Sequence, residues 1–210
     1  KQAMEALVHN LNTMNSRAGA QVPFSSLNYG TDTSPEGRMA VRNLLDATEA
    51  GLGDGETPIF PVQIFKVKEG VNYNEGDPNY DLFKHAIRCS AKRLFPNFSF
   101  LDAPFNLQYY KPGDYNSEVA YMGCRTRVMG NVHDPEREVT CGRGNLSFTS
   151  INLPRLGIEA KGDVKKFYEL LDAQLAIVEE QLLHRFKIQC SKKAYNYPFL
   201  MGQGVWIDSE

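Results

Sequence analysis

Apolar residues return at every third or fourth position along several stretches of the chain, and short, nearly continuous apolar runs lie between them. Met4, Leu7, Leu11 and Met14 step by three and four, which predicts a first helix. "SRAGAQVPFSSLNYG" sets Val, Phe and Leu among small polar residues and predicts an extended strand feeding a turn. A second helix starts at Thr33 or Ser34, with Pro35 in its first turn and Glu36 three residues after Thr33, and ends among Gly51, Gly53 and Gly55. "IFPVQIFKV", Ile59 to Val67, is apolar and β-branched and predicts a buried strand. Tyr80, Phe83, Ile87, Ala91 and Leu94 mark a third helix, stopped by Pro96. "FSFLDAP" predicts a short strand, Val119 to Thr126 an extended run, and "LSFTSINLP" a further strand. Val164, Phe167, Leu171, Leu175, Val178, Leu182 and Phe186 step 3, 4, 4, 3, 4, 4 and predict the longest helix.

Helices that alternate with apolar strands imply an α/β domain whose strands are covered on both sides, with sites at strand ends and loops. The 210 residues, 42% hydrophobic and 23% charged, suffice for one sizeable core, so a single domain over 1–210 is expected. A formal net charge of -2 gives no basic footprint for nucleic acid. The apolar runs are too short to span a bilayer and no secretory signal opens the chain, so a cytoplasmic protein with reduced thiols is expected. The opening "KQAMEALVHNLNTMN" starts inside a helical pattern and "GVWIDSE" ends without a closing element, which suggests a piece of a longer protein.

Candidate chemistry centres on "YMGCRTRVMGN". Cys124 sits beside Gly123, with Met122 two residues before it and Arg125 and Arg127 after it. Nearby cations lower a thiol's pKa and glycine admits close approach, which suits a reactive sulfur; a buried cysteine packed as a small hydrophobe is the competing reading. The four cysteines, Cys89, Cys124, Cys141 and Cys190, form no CxxC pair and no zinc-type spacing with the four histidines. His133 and Asp134 are the nearest candidates for a base and its orienter, but nothing in the sequence fixes them against Cys124. "CGRGNLSFTSINLPR" places Gly142 and Gly144 around Arg143, either as a backbone anion site or as a tight turn, and Asn145 there either holds a ligand or caps its own turn. The GxGxxG and Walker spacings are absent.

"YMGCRTRVMGN", "EVTCGRGNLSFTSINLPR", "FPNFSFLDAP" and "YPFLMGQGVW" together resemble the anaerobic (class III) ribonucleoside-triphosphate reductases, which are glycyl-radical enzymes, and the resemblance runs essentially from end to end. It implies the central portion of a ten-stranded α/β barrel, without an N-terminal ATP-cone or the C-terminal zinc and glycyl-radical regions. By resemblance, Cys124 matches the thiyl-radical cysteine on a finger loop, Met122 the methionine beside it, and Asn145 the active-site asparagine that binds substrate. Cys124 is followed by Arg125 rather than by the second cysteine of pyruvate formate-lyase-like relatives. The implied reaction takes ribonucleoside triphosphates to deoxyribonucleoside triphosphates, with formate or a thioredoxin-like system as reductant and ATP and deoxynucleotides as effectors. The implied partners are a radical S-adenosylmethionine activase and a second copy in a homodimer. No cofactor or metal is expected within the fragment, which alone should be inactive. A non-catalytic nucleotide- or phosphate-binding module is the alternative reading.

Overall fold

The computed structural model describes residues 1–14, 22–123, 126–128, 130–131, 134–137 and 142–207. They fall into two compact units, Lys1–Thr140 and Cys141–Glu210.

The first unit is built on a three-stranded parallel sheet of β1 (Ser26–Tyr29), β2 (Val62–Val67) and β3 (Asn97–Phe100), in that order. The register pairs Asn28 with Ile64 and Lys66 with Ser99. Helix α1 (Gln2–Thr13) precedes β1, α2 (Pro35–Ala50) connects β1 to β2, and α3 (Tyr80–Arg93) connects β2 to β3. Ser34, not Thr33, caps α2: its Oγ accepts the Gly37 N–H at 3.1 Å, and Pro35 fills the first helical position. Gly51, at φ 87°, closes α2 as the glycine cluster implied. Arg93, in the last turn of α3, donates to the carbonyls of Glu49, Ala50 and Gly55 and so satisfies the C-terminal end of α2.

Strand alternation sorts the sheet's two faces. Val41, Leu45, Phe65, Val67, Leu82, Ala86 and Cys89 form a core between the sheet and helices α2 and α3, with Tyr29 and Phe98 against it. On the opposite face Phe60, Val62 and Ile64 pack with Leu11, Val22, Phe95 and Tyr121. The buried residue of α1 is Val8, which joins Leu44 and Ala47 with Met4 alongside. The working face of α1 is therefore Met4, Val8 and Leu11, while Met14 lies beyond the helix and is exposed. The predicted strand from Ile59 begins instead at Val62. Asn12 accounts for this: its Oδ1 accepts the Ile59 and Phe60 N–H groups and its Nδ2 donates to Phe60 O, which takes that backbone out of the ladder.

Asp81 ties α3 to α2 through Arg38 at 2.9 Å and Arg42 at 2.6 Å. Partial burial pushes its carboxyl up, but the Arg38 hydrogen bonds and charge, with Arg42 behind them, outweigh this and hold it below its ordinary value. A depressed carboxyl stabilises the fold above its unfolded pKa of about 3.9 and loses that contribution as pH falls through the folded value. With the side chain 46% exposed, Asp81→Asn should cost no more than about 1 kcal/mol at pH 7 in urea unfolding. The gap from wild type should close as pH falls through the depressed value of the folded carboxyl.

After β3 come α4 (Pro104–Leu107), a 3₁₀ turn at Tyr115–Ser117, and an antiparallel hairpin of β4 (Ala120–Met122) and β5 (Thr126–Val128). The extended run expected from Val119 to Thr126 is thus broken, because Gly123 turns the chain at φ 62°.

The second unit carries α5 (Leu153–Ala160), α6 (Val164–Cys190), a 3₁₀ turn at Ala194–Asn196 and α7 (Pro198–Gly202). Asn152 and Asp163 cap α5 and α6 by accepting the N–H groups of Arg155 and Lys166. The 27-residue α6 is the longest helix among the described residues, as its periodicity predicted, yet none of its residues is buried. The strand expected over "LSFTSINLP" is instead irregular backbone that gives way to α5 at Leu153. Its carbonyls meet side chains rather than a neighbouring strand: Arg185 donates to Phe148 O at 2.8 Å and Gln189 to Leu146 O at 2.8 Å.

Candidate active site

Around the suspected thiol, the described residues end at Gly123 and resume at Thr126, so Cys124 and Arg125 lie outside them, as do His133 and Cys141. The flanks are well defined. Met122, half-buried, pairs with Thr126 across the hairpin, and Cys124 is two residues along the chain from each. Arg127, which sequence proximity suggested as a cation for the thiol, donates to Phe105 O at 3.0 Å and Asn106 Oδ1 at 3.1 Å, with its guanidinium 5.2 Å from the Phe105 ring centroid. It serves to hold β5 to α4.

The hairpin lies on the sheet face opposite α2 and α3. Because Leu27 and Tyr29 point into the helix-side clusters, alternation turns Ser26 and Asn28 to the other side. There Asn28 Nδ2 donates to Tyr121 O at 2.8 Å and Asn28 Oδ1 accepts the Tyr121 N–H at 2.9 Å. Ser26 Oγ accepts the Gly123 N–H at 3.2 Å. On β2 the same alternation brings Lys66 to Glu118, Nζ to Oε1 at 2.7 Å, where Thr31 Oγ1 also donates at 3.2 Å. Sequence reading missed Asn28, Ser26, Lys66 and Glu118; the only available signal was polarity within or just before apolar strands, which also describes a solvated face.

Asn145 lies in the second unit, exposed, at a cavity of 340 Å³. Leu146, Phe186, Leu200 and the Tyr197–Trp206 pair, with ring centroids 6.2 Å apart, supply apolar walls. Gln189 donates through Nε2 to Leu146 O and keeps Oε1 buried without a protein hydrogen-bond partner. A cavity with apolar walls and two carboxamides suits an organic ligand that carries hydrogen-bonding groups. Both glycines of the turn before Asn145 answer to packing: a Cβ on Gly142, at φ 65°, would lie 2.7 Å from Ile207 N, and one on Gly144 would lie 2.9 Å from Trp206 Nε1. Gly142→Ala should therefore loosen this turn, raising hydrogen exchange at Arg143–Leu146 and destabilising the unit by about 1–3 kcal/mol.

The two cysteines among the described residues differ. Cys89 is fully buried, 3.8 Å from Leu45 O, and burial first, then the Glu49 charge, pushes its thiol up to about 11. It is an inert packing residue. Cys190 is exposed and lines the Asn145 cavity. Among the described residues, no group of three or more histidine, cysteine, aspartate and glutamate side chains gathers as a metal site, and no helix is long and apolar enough to cross a membrane.

A parallel α/β sheet that ties a short hairpin to the face opposite α2 and α3, with a lone cysteine next along the chain, defines the arrangement. The family model described as anaerobic ribonucleoside-triphosphate reductase matches residues 1–210, and the chain belongs to that family. It is 34% identical to the anaerobic ribonucleoside-triphosphate reductase of Haemophilus influenzae over 97% of its own length and 27% of that protein. The values for the Escherichia coli protein of the same name are 33%, 97% and 28%, and for that of Enterobacteria phage T4 32%, 97% and 34%. The chain thus spans between a quarter and about a third of these relatives.

Proposed function

We propose that this chain is a catalytic-region segment of an anaerobic ribonucleoside-triphosphate reductase and that Cys124 is its hydrogen-abstracting residue. The end-to-end family match, with "MGC" beginning on β4, carries the reading. The sulfur, as a thiyl radical, takes the hydrogen atom from the ribose C3′ and becomes a thiol. The C3′ radical labilises the 2′ C–O bond, and the 2′-hydroxyl leaves as water after gaining a proton. The reductant, formate (oxidised to carbon dioxide) or a thioredoxin-like dithiol (oxidised to a disulfide), supplies two electrons, C2′ gains a hydrogen in place of the lost hydroxyl, and the thiol returns its hydrogen atom to C3′, which regenerates the thiyl radical. Such a cysteine needs no histidine base. Asn145 binds the substrate's ribose hydroxyls through its carboxamide, which fixes the reacting C–H bond, and Met122 lines the sulfur's surroundings. Asn145's place at a cavity supports that role.

The two units belong, on this reading, to one catalytic domain, a ten-stranded barrel. The parallel sheet with helices α2 and α3 on one face and the hairpin on the other supports it. The complete protein works in the cytoplasm as a homodimer, with ATP and deoxynucleotide effectors, a zinc site and a glycyl radical installed by the activase. Anaerobic assay of the activated complete protein with ribonucleoside triphosphates and formate tests the proposal: deoxynucleoside triphosphates should form, and the 210 residues alone should form none. Failure of the complete protein to make them with either class of reductant would refute the reading.

A further inference from the structure

Three polar side chains of the sheet face opposite α2 and α3, Ser26, Asn28 and Lys66, bond to one segment, Glu118–Gly123, which leads directly to Cys124. Antiparallel pairing explains why a side chain can do this. A residue's N–H and C=O point to the same side of its strand, and Tyr121 turns both away from β5, toward β1. The Asn28 carboxamide offers one donor and one acceptor at peptide-like spacing and so pairs with Tyr121 as another strand's peptide would. Only one orientation of the amide satisfies both bonds. Gly123, one residue before Cys124, is then set by Ser26 Oγ, and its left-handed turn brings its Cα against the Phe24 ring, 3.2 Å from where a Cβ would stand.

We infer that Asn28 is a positioning residue for the proposed reductase reaction: its two-bond clamp on Tyr121 sets where the loop begins that carries the Cys124 sulfur toward substrate. This rests on the reading of Cys124 given above. Asn28 commits both its amide groups to the Tyr121 backbone, so its loss should change the chemical step and not nucleotide affinity.

The test uses the complete activated reductase. Asn28→Leu keeps the side chain's shape and removes both bonds. Turnover should fall about 100-fold, as expected for a reacting atom displaced by about an ångström. The nucleotide KM should stay within about twofold, and the glycyl-radical EPR amplitude after activation should be unchanged. Asn28→Asp supplies the reading a merely structural role would not give. When protonated, its carboxyl donates to Tyr121 O and accepts the Tyr121 N–H, as asparagine does. When ionised, it sets a carboxylate oxygen against Tyr121 O. Its turnover relative to wild type should therefore rise as pH is lowered from about 8 to about 5, while that of Asn28→Leu relative to wild type stays flat.

Wild-type turnover in Asn28→Leu overturns the inference. So does a flat pH ratio in Asn28→Asp, and so does a loss confined to radical amplitude, KM or melting temperature. A Cys124→Ser control run alongside separates the two levels. If that control is inactive while Asn28→Leu is normal, only the clamp fails; if it turns over, the reductase reading fails and the clamp's role with it.

Discussion

Cys124→Ser should abolish deoxynucleotide formation in the complete reductase, by at least about 10⁴-fold, or about 5.5 kcal/mol in the barrier, while nucleotide binding stays within about twofold. The substitution is nearly isosteric and leaves the hairpin's described anchors, Asn28 on Tyr121 and Ser26 on Gly123, untouched. What changes is the bond that must be made and broken. An alcohol O–H is stronger than a thiol S–H, so an oxygen radical neither forms readily at this position nor returns its hydrogen reversibly. The competing reading of the sequence, a packed small hydrophobe, predicts the opposite pattern: a modest loss of stability from a buried hydroxyl and nearly normal turnover. Turnover and nucleotide binding, measured on one preparation, decide between them. Retained turnover would remove Cys124 from the mechanism.

The helical periods and the caps were legible before any coordinates because they are local. Ser34 and Pro35 start α2 and Gly51 ends it within a few residues of the chain, although the distant Arg93 satisfies its last carbonyls. Strand identity was less legible, since an apolar stretch becomes a strand only when a partner edge is present. Val62–Val67 finds β1 and β3 on either side; "LSFTSINLP", which also reads as a strand, finds Arg185 and Gln189 side chains. The proposed site, Met122, Cys124 and Asn145, was legible only by resemblance. The residues that hold the Glu118–Gly123 segment, Asn28 and Lys66 above all, were hidden because their partners lie far away in sequence. Asn28 meets Tyr121 at a separation of 93 residues and Lys66 meets Glu118 at 52. No local pattern encodes such pairs.

Lys66→Met should be the most destabilising of the substitutions considered, at about 3–5 kcal/mol in urea unfolding. The Lys66 and Glu118 side chains are 12% and 10% exposed, and their charged atoms approach to 2.7 Å. Methionine follows the lysine stem without its ammonium, so packing changes little. What remains is a carboxylate almost out of water to which the Thr31 hydroxyl donates, and the desolvation of that charge sets the cost. Glu118→Leu should cost a similar amount for the mirror reason, since the ammonium is then left without its counter-charge. The two losses should not add. In Lys66→Met/Glu118→Leu neither charge remains, apolar contact replaces the pair, and stability should return to within about 1–2 kcal/mol of wild type. A double-mutant cycle reads this as a coupling of at least about 2 kcal/mol. Additive losses would mean that solvent screens the pair, and that the segment leading to Cys124 is held to the sheet by Asn28 and Ser26 without help from this ion pair.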